Sequence, residues 1–157
     1  VTIVETGEKL PTTTPDQLVL TGRLEDDAVL TVHIEGGKRN ASGVQIDITG
    51  TEGDLRITNR SAFGGEGDDY KVEGAHGDNL PLQVLPVPDA YNQLPPSDLP
   101  SSVLELAELY AAYANDVRNG TKTAPDFSDA VRMHELINAA VMSSESGKHV
   151  VLATSQD

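Results

Sequence analysis

Four histidines, one basic pair and one glycine-rich acidic loop are the residues of this chain whose types could do chemistry. His76 stands between Ala75 and Gly77 in an irregular stretch, a setting open to general acid or base work. No partner acid or nucleophile is identifiable for it among its sequence neighbours. Lys38-Arg39 is held in the glycine turn Gly36-Gly37-Lys38-Arg39-Asn40. It could meet an acidic sugar, a cofactor phosphate from another domain or an acidic partner surface, and a solvated hairpin tip is the plainer reading. His76, Lys38 and Arg39 are the candidates for a substrate cleft. His33 projects from a polar sheet face, His134 lies on the stripe of a helix where a hydrogen-bonded core position suits it, and His149 follows a helix end. Gly64-Gly65-Glu66-Gly67 does not follow the spacing of a dinucleotide fingerprint, and Glu66, Asp68 and Asp69 would repel a phosphate. The pairs Asp68-Asp69 and Asp26-Asp27 lack the spacing of a calcium loop and read as solvated turns, so no metal site is expected. Asn40-Ala41-Ser42, Asn59-Arg60-Ser61 and Asn119-Gly120-Thr121 are glycosylation sequons in form only.

The totals narrow the partners. With 157 residues, 11 basic and 25 acidic side chains and a formal net charge of -14, the chain is a poor match for nucleic acid or an anionic membrane. Hydrophobic residues make up 38% but aromatics only 4%, so any core must be aliphatic. The absence of cysteine removes disulfides and thiolate metal sites and suits a cytoplasmic setting. No apolar run reaches the roughly 20 residues of a membrane span. A start on Val1-Thr2-Ile3-Val4, already strand-like, predicts a piece of a longer protein.

The elements that must position these residues follow from period. Leu18, Leu20 and Leu24 share one face of a strand over 17–24, with Gln17, Thr21 and Arg23 on the other. After a turn at Glu25-Asp26-Asp27, Leu30, Val32 and Ile34 alternate with Thr31, His33 and Glu35. Val44, Ile46 and Ile48 alternate with Gln45, Asp47 and Thr49, and Leu55 and Ile57 alternate with Arg56 and Thr58. Four such runs joined by turns predict one antiparallel meander with an apolar face. Residues 70–73 suit a further short strand, and 80–87 an edge strand limited by Pro81 and Pro86. Ser102-Val103-Leu104-Glu105 reads as a capping box and Asn119-Gly120 as a stop, with Leu106, Tyr110, Tyr113 and Val117 as the inward stripe of a first helix. Asp126 caps a second helix, with Asp129 in its first turn, Ile137 on its stripe and Gly147 at its end. Strands followed by helices predict an α+β domain: an open, mainly antiparallel sheet with helices packed on one face.

At this point a family resemblance enters. Ala124-Pro125-Asp126-Phe127-Ser128-Asp129-Ala130-Val131-Arg132-Met133-His134, closing at Ser146-Gly147-Lys148-His149-Val150, resembles the terminal helix of the glucose–fructose oxidoreductase/inositol dehydrogenase family. Ile48-Thr49-Gly50-Thr51-Glu52-Gly53-Asp54-Leu55 and the hairpin Asp16–Gly37 resemble it too, closest to the branch of the fungal galactose-pathway repressor. The resemblance implies a single C-terminal domain over residues 1–157, its N-terminal Rossmann partner lying outside this chain. It implies NAD or NADP and a sugar- or polyol-like small-molecule substrate for the full-length oxidoreductase, with no cofactor expected on this piece alone. Neither the glycine fingerprint nor the family's Glu-Lys-Pro occurs here, so no catalytic residue carries over. The alternative implied by the same resemblance is a non-catalytic nucleotide-sensing transcriptional regulator that binds a protein partner.

The second sheet face is expected to be an oligomer interface, carried by Val19, Thr21, Val29, Thr31, His33, Gln45, Asp47 and Thr49. Two valines among the polar residues, flat threonines and opposite charges able to pair across a two-fold axis argue for a second copy. The family resemblance points the same way, since its members often associate sheet to sheet.

Overall fold

A computed structural model describes residues 1–24, 27–37, 40, 43–61, 70–91 and 93–152. The chain divides into two compact units, Val1–Asn40 with Ile137–Asp157, and Ala41–Leu136.

The first unit holds a hairpin of β1 (Gln17–Arg23) and β2 (Val29–Glu35), paired antiparallel from Gln17 opposite Glu35 to Arg23 opposite Val29. Its open end is closed by the Gly36 N–H donating to the Asp16 carbonyl at 2.6 Å, and its turn end by Leu24 N–H to the Ala28 carbonyl at 2.8 Å. Along β1 the odd-numbered residues are exposed and the even-numbered ones half-buried, the alternation expected of a strand with one covered face. The N-terminal residues make only an isolated bridge between Thr2 and Lys9.

The second unit holds β3 (Val44–Thr49), β4 (Gly53–Asn59), β5 (Lys71–His76) and the two-residue β6 (Gln83–Val84), an antiparallel sheet in sequence order. The expected single meander is thus two sheets, because β2 does not pair with β3. At φ 75°, Gly43 packs tightly against β4: a Cβ there would lie 2.0 Å from the Asn59 carbonyl oxygen. Prolines 81 and 86 offer no N–H to a ladder, which leaves β6 as the remnant of the expected edge strand. Gly74 lies where β5 is most crowded: a Cβ would meet Leu55 Cδ2 and Leu85 Cδ1, each at 2.8 Å.

Helix α1 (Ser101–Asn119) starts at Pro100 with no side-chain cap, so Ser102 falls inside the first turn and the expected capping box does not form. Its C-terminus is as expected: Gly120 takes φ 68° and its N–H donates to the Asp116 carbonyl. Helix α2 (Phe127–Ser146) carries a reciprocal cap, Ser128 N–H donating to Asp126 Oδ1 at 2.7 Å and Asp126 N–H to Asp129 Oδ2 at 2.8 Å. Asp129 also pairs with Arg132 one turn on. Gly147 ends the helix at φ 64°.

The α+β class with open antiparallel sheets is what the strand and helix periods predict. The sides of the helices are not. Among the described residues no apolar side chain is buried, and Leu106, Tyr110, Tyr113 and Val117 of α1 are all exposed. The half-buried positions are instead Ser101, Leu104, Ala107, Glu108, Ala111, Ala112, Ala114 and Asp116. Glu108 fixes this side, accepting from Gln93 N–H at 3.0 Å and Leu94 N–H at 3.2 Å. At 3.6 residues per turn it stands on the side opposite the apolar stripe. His134, expected in a core, is exposed on α2.

Candidate functional site

The β1–β2 register brings the first five interface candidates onto one face. Val19 lies opposite His33, Thr21 opposite Thr31, and Val29 opposite Arg23. All six side chains are exposed, with Val19 at 70% and Val29 at 78%. Directly opposed pairs and their diagonals form a continuous surface about two residues wide. Arg23 Nη1 donates to Asp27 Oδ1 at 2.8 Å, a surface pair of little energetic weight.

Gln45, Asp47 and Thr49 stand on β3, in the other sheet. Asp47 is already engaged there: Arg56 Nε donates to its Oδ1 at 2.6 Å and Gln45 Nε2 to its Oδ2 at 2.7 Å. The Arg56 hydrogen bond, reinforced by Gln45, holds the Asp47 carboxyl below its ordinary range, and Asp47 in turn raises Arg56. In register, Asp47, Arg56 and Glu73 form an acid–base–acid row across three strands, and Lys71 Nζ meets Glu73 Oε1 at 2.7 Å. The opposite charges expected to seek partners across a two-fold axis are paired within the sheet.

Of the cleft candidates, Lys38 and Arg39 lie outside the described residues, as do the glycine-rich loop and Asp26. His76 ends β5, exposed and opposite Gly53 of β4. It shares an open hollow of about 480 Å³ with Thr51, Glu52, Asp54, Leu55 and Leu85. The β4–β5 ladder adds Glu52 and Asp54 to the carboxylates near His76 in sequence, Glu73 and Asp78, a juxtaposition only the hairpin register could have revealed. No hydrogen bond joins His76 to Glu52 or Asp54. A second hollow of about 770 Å³ lies at the start of α1, lined by Tyr70, Asp89, Leu94, Glu105 and Glu108 among others. Among the described residues no group of three His, Cys, Asp or Glu side chains could hold a metal ion.

Two polar residues that period does not single out shape the second unit. Asp116 accepts from Ala124 N–H and Thr123 N–H at 2.8 Å each, from Thr121 Oγ1 at 2.6 Å and from Thr123 Oγ1 at 2.9 Å. The Ala124 bond first, with Thr121 and Thr123, pushes its carboxyl down to about 2. Asn59 is 6% exposed with neither side-chain polar atom partnered, which keeps its sequon amide out of reach of modification. Among the described residues no helix is long and apolar enough to cross a membrane.

Residues 2–59 match the family model described as Gal80p, C-terminal domain, the Gal80p-like group. The match takes in Asp16–Gly37 and Ile48–Leu55, two of the stretches on which the resemblance to the galactose-pathway-repressor branch rests. No curated protein and no solved structure matches the chain.

Proposed function

We propose that this chain, which carries the Gal80p C-terminal-domain signature over residues 2–59, is the substrate-side and assembly domain of an NAD(P)-dependent oxidoreductase. A sugar- or polyol-like substrate would be enclosed between it and a separate nucleotide-binding domain that holds NAD or NADP. The family match is the observation that supports this reading, since the C-terminal domains it resembles line the cleft and mediate association. Within the chain the assembly role falls to the β1–β2 face, where the register gathers Val19, Thr21, Val29, Thr31 and His33. The Asp47–Arg56 pair makes β3 a poorer part of that surface, since recruiting either charge would first break an existing hydrogen bond. His76 remains the cleft candidate, beside Glu52 and Asp54.

The match to a domain of the Gal80p type favours a second reading, a nucleotide-sensing regulator whose partner is a protein. Both readings place the nucleotide outside this chain. Calorimetric titration of the chain with NAD and NADP is expected to give no heat of binding; micromolar affinity would overturn that placement. In the full-length protein, turnover of NAD(P) with sugars or polyols selects the oxidoreductase, and nucleotide binding without turnover selects the regulator.

A further inference from the structure

We propose that Asn119 is a latent deamidation site, kept closed by Asp116. The site is independent of both the oxidoreductase and the regulator reading. Asn119-Gly120 is the one Asn-Gly step in the sequence, and glycine is the residue whose backbone nitrogen is least hindered by a side chain. The reaction is intramolecular. The Gly120 nitrogen bonds to Asn119 Cγ, the Cγ–Nδ2 bond breaks, and ammonia leaves with the proton of the Gly120 N–H. Water then opens the five-membered imide at one of its two carbonyls and leaves an aspartyl or isoaspartyl residue at position 119. Asn119 and Gly120 are both exposed at the end of α1, so water is at hand.

Both reacting groups are held away from that reaction. Asn119 is the last residue of α1, and at a helical ψ of about −42° its side chain and the Gly120 nitrogen do not share the plane that the ring requires. The Gly120 N–H, which must be given up, donates to the Asp116 carbonyl at 2.8 Å. The leaving nitrogen, Asn119 Nδ2, donates to Asn115 Oδ1 at 2.7 Å. Gly120 meets nothing within 4 Å of where a Cβ would stand, so the segment after it, not crowding, keeps it in place. Thr121 Oγ1 and Thr123 Oγ1 donate to Asp116 Oδ1 at 2.6 and 2.9 Å, and Thr123 N–H and Ala124 N–H donate to Oδ2 at 2.8 Å each. One residue thus anchors Gly120 by its carbonyl and residues 121–124 by its carboxylate. Deamidation proceeds only when this end opens, so its rate follows the open population. Once formed, the new carboxylate stands three residues from Asp116 at the negative end of the helix dipole, where dipole and like charge both oppose it. The modification therefore weakens the anchor that delayed it.

The test is the isoaspartate formed at position 119 while the full 157-residue chain is incubated at mildly alkaline pH, read by peptide mass spectrometry and enzymatic methylation. Gly120→Ala, whose methyl group hinders the nitrogen, gives the background. Folded wild type is expected to react more slowly than the same chain in urea, by on the order of tenfold or more. Asp116→Ala is expected to react on the order of tenfold faster than folded wild type, the factor that one lost charge-assisted hydrogen bond puts on a local opening. Helical circular dichroism shows whether that variant keeps its helices. If it does not, the Thr121→Val, Thr123→Val pair, which removes only the two hydroxyl donors, decides the matter and is expected to react several-fold faster than wild type. Wild type that reacts as fast folded as in urea, or variants with intact helices that react no faster than wild type, overturns the proposal.

Discussion

The Asp116 carboxylate ties the end of α1 to residues 121–124 with charge-assisted hydrogen bonds to two backbone N–H groups and two hydroxyls. Its folded pKa of about 2 lies below the ordinary value of about 3.9. A depressed carboxylate contributes stability that is complete above its unfolded pKa and is lost as pH falls through its folded one. Asp116→Ala is therefore expected to lower the urea midpoint near neutral pH, with the difference from wild type shrinking between about pH 4 and about pH 2. A difference that stays constant across that window would show that the carboxylate's charge is not what orders the turn. Asp126 works likewise at the start of α2, where bonds from Ser128 and Asp129 N–H lower its pKa. Asp126→Ala is expected to reduce helical circular dichroism and Asp126→Ser to restore most of it, since a serine oxygen can accept the same N–H.

At the scale of elements, Gly43 and Gly7 separate two causes of strain. Both take positive φ, but a Cβ at Gly43 would collide with the Asn59 carbonyl, whereas Gly7 has nothing within 4 Å. Gly7→Ala is expected to cost roughly 1–3 kcal/mol from the backbone alone, and Gly43→Ala the same plus the displacement of β4. Equal losses in chemical denaturation would mean that Gly43 is not pressed against Asn59. Ile137, half exposed on α2 at 50%, is expected to behave as a surface residue, Ile137→Ala changing stability by about 0.5 kcal/mol or less. A loss of roughly 2–5 kcal/mol would restore the core stripe that helical spacing predicts. Strands were legible here because period 2 is local: residues 17–23 and 29–35 show their faces and even their register through alternation and one short turn. The ends of α1 and α2 at Gly120 and Gly147 were legible for the same reason, each set by a single residue. The side that α1 turns inward was not. It depends on Glu108 meeting Gln93 and Leu94 N–H, 14 to 15 residues away, and no apolar period encodes such a bond. The separation of β2 from β3 was not legible either, since period 2 marks strands and not which of them pair.

At the scale of the whole molecule, a net charge of -14 keeps copies apart except where a surface is locally neutral. The middle rows of the β1–β2 face, Val19 with His33 and Thr21 with Thr31, are such a place. The polar face of the other sheet is charged instead, its Asp47, Arg56, Glu73 and Lys71 already paired with one another. A Val19→Lys, Thr31→Lys double variant is thus expected to abolish association, while Gln45→Lys leaves it largely intact; the reverse pattern in sedimentation would move the interface to β3. Lys38 and Arg39, beyond the described residues, and His76, at the end of β5, stood out in sequence by residue type alone. The carboxylates that share a hollow with His76, Glu52 and Asp54, come from the register of β4.

The central claim is that the β1–β2 face meets the same face of a second copy, and the cysteine-free sequence permits a direct test. A single Thr31→Cys substitution supplies one thiol in the middle of the face, and packed sheets stand about 10 Å apart, within reach of a short bismaleimide. The account predicts rapid covalent dimer formation by Thr31→Cys at high micromolar concentration, and little by a Val103→Cys control on α1. Equal cross-linking of the two variants, or dimers from Val103→Cys alone, would contradict it.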